Sequence, residues 1–184
     1  MTQSLPVDQN LGHENLSPRL PEGAVASRDP AAVRAVMPAG PWTHEPDRVE
    51  WRAHGFPCLI VRHAESWHLC GYVGVEPGHP WHGVSLVDAE WVEGGHPKVH
   101  GGITYSAECA GHICHVARPG EPEHVWWHGF DACHAFDLSP FDLTRPGYGR
   151  LRASRRPEEY RTIEYMVAEA EKLARQAAAL RVTP

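Results

Sequence analysis

The sequence has no excess of basic charge: 17 Lys and Arg stand against 23 Asp and Glu, a formal charge of -6 with neutral histidines. No general field draws such a chain onto nucleic acid or an anionic membrane, and no nucleic-acid partner is expected. The one arginine cluster, Arg145, Arg150, Arg152, Arg155 and Arg156, reads as a solvated loop. Also missing is any apolar run near the ~20 residues that span a bilayer, as is the basic and then apolar leader of a secreted chain. Five cysteines, an odd number, add to the expectation of a cytoplasmic protein with reduced thiols and no membrane partner. There is no internal repeat, no low-complexity tract, no Walker loop and no dinucleotide fingerprint. With 17 Gly and 17 Pro in 184 residues, an all-helical fold is excluded, while a hydrophobic fraction of 42% can still build one core.

What is present divides near residue 40. Residues 1–40 carry five scattered prolines and little periodic hydrophobicity, and read as a mobile or loosely packed arm, with one capped helical turn expected from Asp29 to Met37. Residues 41–184 read as a single α+β domain. Cys58 to Val61 and the alternation from Leu69 to Val75 predict a hairpin, and residues 76–83 an exposed loop. Further strands are expected over 99–106, 112–117 and 123–130. Together they give a mostly antiparallel sheet of about five strands. A long C-terminal helix over 157–180 is expected to pack on one face, with proline at its entrance, Glu158 and Glu159 at the positive end of its dipole and one apolar stripe from Tyr160 to Leu180.

The functional lead is a polar constellation in two segments: His100-Gly101-Gly102-Ile103-Thr104-Tyr105-Ser106, and residues 126–137 with Asp131, Cys133, His134 and Asp137. Carboxylates and imidazoles in this combination suit a divalent metal, zinc or manganese, with His100, Asp131, His134 and Asp137 as ligands around an activated water. A metal-free site would use His100 or His134 as a general base oriented by Asp131. The same residues also make caps, turns and hydrogen-bonded buried histidines in purely structural settings. Cys133 is read as a small buried thiol rather than a nucleophile. The segment Cys109 to His115 offers soft ligands but lacks the second pair that a structural zinc site needs. Thr104 and Ser106 would position a substrate, and Tyr105 or Trp126 would stack on a flat ligand.

On these segments the chain resembles a family of uncharacterised small proteins encoded by actinobacteria and their phages. The motifs are residues 71–75, 78–80, 100–106 and 126–137, with residues 160–165 near the C-terminus, so that the resemblance spans about residues 41 to 180. It implies a compact domain with a shared site, supplies no reaction, and brings a phage setting such as counter-defence into view. The expected function is a metal-dependent hydrolase acting on a phosphorylated or nucleotide-like small molecule, with His100, Asp131 and His134 as catalytic residues. The competing expectation is a non-catalytic module that binds a small molecule or a protein partner.

Overall fold

The computed structural model describes residues 17–28, 37–86, 96–115, 117–149 and 157–180. Six strands form one sheet: β1 Val25–Ser27, β2 Arg48–Ala53, β3 Phe56–Arg62, β4 Leu69–Val75, β5 Tyr105–Glu108 and β6 Trp126–Asp131. Their order is β1-β2-β3-β4-β6-β5, antiparallel at every pairing. One helix, α1 Ile163–Ala179, packs on β4, β3 and β2. The fold is the expected α+β arrangement, with six strands in place of about five.

Local chemistry explains each turn. His54 and Gly55 both have positive φ, 52° and 85°, as a two-residue type I′ connection between β2 and β3 requires. Pro57 lies in β3 next to that turn, at a position with no partner in β4, so its missing N–H costs no bond on that side. β4 is buried along its whole length, because α1 covers one face and aromatic residues cover the other. On the helix side Val49, Trp51, Ile60, Val73, Met166, Ala170, Leu173 and Ala177 form the main core. On the far side Leu59, Tyr72, Val125 and Trp127 form a second layer.

α1 buries Ile163, Met166, Val167, Ala170, Leu173, Ala174 and Ala177, close to the stripe expected from its three- and four-residue spacing. It starts later than expected. Residues 157–161 are not helical, with Asp137 and Glu159 in a parallel bridge and Glu159 N donating to Phe136 O at 2.8 Å. Thr162 is the N-cap, its side chain accepting from Tyr165 N at 3.4 Å. The acid of the first turn is Glu164 rather than Glu158 or Glu159.

Two expected strands are also corrected. The strand expected over 99–106 begins only at Tyr105, because Gly101 and Gly102 take positive φ (64° and 87°) and residues 99–102 form a turn closed by Gly102 N to Val99 O at 3.0 Å. The strand expected over 112–117 is replaced by a loop in which Ala110 bridges Ile113 and Cys109 is disulfide-bonded to Cys114. That bond takes both thiols out of the candidate ligand set of residues 109–115 and corrects the expectation of reduced thiols, which holds for Cys58, Cys70 and Cys133 alone. Within the arm, β1 adds an edge strand to β2, while the helical turn expected from Asp29 falls on residues 29–36, outside the described ones.

The fold carries an acid sensitivity. Burial pushes the imidazoles of His68 and His128 down to about 4 from an ordinary 6.5. Between those values the unfolded chain binds protons that the folded chain refuses, so stability falls as pH falls through this window, by up to ~1.4 kcal/mol per pH unit for each histidine. Asp137, held below its ordinary 3.8, extends the loss further into acid. Urea unfolding midpoints measured above, within and below the window should drop steadily, and a flat profile would contradict neutral burial of the two rings.

Candidate active site

The turn at residues 99–102 throws the His100 ring toward α1. His100 Nδ1 lies 2.9 Å from the Tyr165 hydroxyl, and Nε2 lies 2.7 Å from Asp137 Oδ2. A carboxylate can only accept, so Nε2 carries a proton and donates to Asp137. His100 N donates to Glu169 Oε2 at 2.7 Å. Asp137 is further filled by Arg161 Nε at 2.8 Å on Oδ1 and by His134 N at 3.0 Å on Oδ2. Burial works to raise the Asp137 carboxyl, but the hydrogen bonds from Arg161, His100 and the His134 amide outweigh it and hold it below the ordinary range. Arg161 also lies 5.0 Å from the centre of the Tyr165 ring, in reach of a cation–π contact.

Asp131 closes β6 on the opposite sheet face. Its Oδ2 accepts from Thr104 Oγ1 at 2.7 Å and its Oδ1 from Cys133 N at 3.0 Å. His134 Nε2 stands 3.5 Å from Oδ1, close enough for attraction if the ring is charged, yet this nitrogen is shut off from solvent and makes no hydrogen bond. The His134 ring meets His100 edge-on at 5.7 Å and rests on the backbone of Gly101, where a Cβ would stand 1.9 Å from Nε2. Gly101 is thus needed twice, for its left-handed φ and for the space the ring fills.

Beside Asp131 opens a pocket of about 280 Å³, lined by Thr104, Tyr105, Tyr72 and Cys133 and by His63, His68, Cys70 and Phe130. Tyr72 reaches its place by lying across Gly129, where a Cβ would come within 2.4 Å of the ring. The Tyr72 and Tyr105 rings meet edge to face at 5.5 Å. His63 and His68 stack at 4.9 Å, with Ser66 Oγ 2.9 Å from the Nδ1 of each. Cys133 is exposed rather than buried, but burial of its sulfur and the nearby Asp131, Asp142 and Asp137 raise its thiol pKa, which works against nucleophilic use at neutral pH.

The structure therefore brings His100, Asp131, His134 and Asp137 into one neighbourhood and puts Thr104 and Tyr105 on the pocket wall. It does not bring Ser106 and Trp126 there. Trp126 Nε1 donates to Ser106 Oγ at 2.8 Å, and that hydroxyl sits against Val84 O and 3.1 Å from His128 Nδ1, while His128 Nε2 lies 2.9 Å from Trp81 O. This is a buried cluster on the helix side of the sheet. Among the described residues no three His, Cys, Asp or Glu side chains are arranged to hold a metal ion.

Sequence reasoning missed Tyr165 and Glu169 in the first half of α1, Arg161 just before its N-cap, and His63 and His68 in the β3–β4 loop. Tyr165 and Glu169 stand four residues apart, a spacing that shares a helix face; His63, Ser66 and His68 form a short polar run between two apolar strands. No protein family, curated protein or solved structure matches the chain.

Proposed function

We propose that the chain is a small-molecule hydrolase working by acid–base chemistry in the pocket beside Asp131. The observation that carries this is the double setting of that carboxylate: one side lines a cavity of about 280 Å³, the other is backed by Thr104, the Cys133 amide and the His134 ring. Asp131 takes a proton from water directed at a substrate held by Thr104, Tyr105 and Tyr72. His134 is a positioning residue behind it, and His100, Asp137, Arg161 and Tyr165 fix the loop that carries His134. Asp131→Asn should lower kcat/KM on the best substrate from an ester, amide and phosphoester panel by about 10²- to 10⁴-fold, with the unfolding transition kept. If the pocket binds ligands and no bond in the panel is cleaved, the hydrolase reading fails and the chain is a binding module.

A divalent ion, zinc or manganese, is a second reading, and the unpartnered His134 Nε2 facing Asp131 is what favours it. It would need donors beyond these two, since both His100 nitrogens and both Asp137 oxygens already have protein partners. Stoichiometric metal lost in a folded His134→Ala variant would establish it.

A further inference from the structure

The lining of the pocket points to the chemical class of its ligand. Among the described residues Asp131 is its one acidic side chain, and no lysine or arginine lines it. Thr104 and the Cys133 amide occupy two of the roughly four lone-pair positions of that carboxylate, which leaves acceptor capacity unused. The remaining walls are formed by two imidazoles, two thiols, two phenols, a phenyl ring and the Thr104 hydroxyl. Burial holds His68 down to about 4, lifts the Cys70 thiol to about 12 and raises the Tyr72 and Tyr105 phenols. The two tyrosines give aromatic surface at right angles beside the acid. An anion placed here would meet the Asp131 carboxylate with no lysine or arginine of the described residues to offset it, which costs free energy in a partly desolvated site. A cation would meet a carboxylate with free lone pairs and aromatic rings whose quadrupoles attract positive charge.

We propose that this pocket binds a small organic ammonium ion, its N–H groups on Asp131 and its apolar part against Tyr72 and Tyr105. The inference rests on the pocket of the hydrolase reading and narrows its substrate to an amine, in place of the phosphorylated molecule expected from the sequence. It does not depend on turnover: ammonium binding without hydrolysis would overturn the hydrolase reading alone, and hydrolysis by a pocket blind to ammonium ions would overturn this inference alone.

The experiment is a ligand-observed NMR titration of the full chain with benzylamine, benzyl alcohol, benzoate and inorganic phosphate at neutral pH. Benzylamine should bind about tenfold more tightly than the isosteric alcohol, as a charge-assisted hydrogen bond and a cation–π contact imply, and benzoate and phosphate should be weaker than either. Asp131→Asn should abolish the preference for amine over alcohol. Tyr105→Leu, which leaves the carboxylate in place, should weaken benzylamine by about threefold or more, and it decides the matter if the Asn variant does not fold. Equal binding of amine and alcohol, tighter binding of benzoate or phosphate, or unchanged benzylamine affinity in a folded variant would each overturn the proposal.

Discussion

Replacing Arg62 by alanine is expected to cost about 3 to 5 kcal/mol of folding stability. The guanidinium sits at the end of β3 with only 3% of its side chain exposed, and it holds Asp47 Oδ1 at 2.8 Å and Glu45 Oε2 at 2.9 Å, both carboxylates buried as well. It also donates to Trp67 O at 3.1 Å and meets the Tyr160 hydroxyl at 2.9 Å. Glu45 extends the network: Oε1 accepts from Ile163 N at 2.9 Å at the start of α1, and Oε2 accepts from Tyr160 at 2.5 Å. Two strand ends, the loop before β2 and the helix N-terminus thus share one cation. Removing it strands two carboxylates away from water, and that penalty, more than the lost attraction, sets the size of the effect. Urea unfolding of Arg62→Ala beside Arg145→Ala is the measurement. The second arginine pairs with Asp142 while 64% exposed, and its loss should stay within about 1 kcal/mol. Comparable losses for both would mean that the Arg62 network is not buried.

The largest functional effect of a small change is expected at Gly101. Alanine at Gly101 or at Gly102 puts a Cβ on a left-handed residue, a backbone cost of about 1 kcal/mol at each. At Gly102 the new methyl meets nothing within 4 Å, whereas at Gly101 it overlaps the His134 ring. That ring is the far end of a side chain with 32% exposure, so it can swing outward and spare the fold. Gly101→Ala and Gly102→Ala should therefore unfold at similar urea concentrations but differ at the site. The imidazole resonances of His134 should move toward those of a solvated histidine in Gly101→Ala alone, and turnover on any panel substrate should fall about tenfold or more. Equal behaviour of the two variants at the site would show that His134 does not need its seat on Gly101.

These comparisons show why the sequence was more legible in some places than in others. Strand β3 announces itself as a short apolar run, β4 by alternation and the buried stripe of α1 by its three- and four-residue steps. β2 was readable too, in Val49 and Trp51 alternating with charged residues before His54-Gly55, but its polar half hid it among prolines. The alternation over 99–106 was misleading, since the pattern continues through Gly101 and Gly102 while the backbone does not. Thr104 and Tyr105 share the pocket because Thr104 precedes the strand, and Ser106 then points the other way. Asp131, His134 and Asp137 stood out as a dense group on one segment. Tyr165 and Glu169 did not, because a polar side chain on an amphipathic helix looks like a solvated face until its partner, here the 99–102 turn, is known.

The strand order also sets an order of events. β5 precedes β6 in the chain, yet β6 lies between it and β4, so β5 has nothing to pair with until the later strand has been laid down. It is four residues long, sits at the rim of the sheet and has no fully buried residue, whereas β4 at the centre is buried throughout. The wall that bears Thr104 and Tyr105 therefore assembles after β4 and β6 and releases its amides to exchange before they do. The pocket can breathe at that rim without disturbing the frame beneath it.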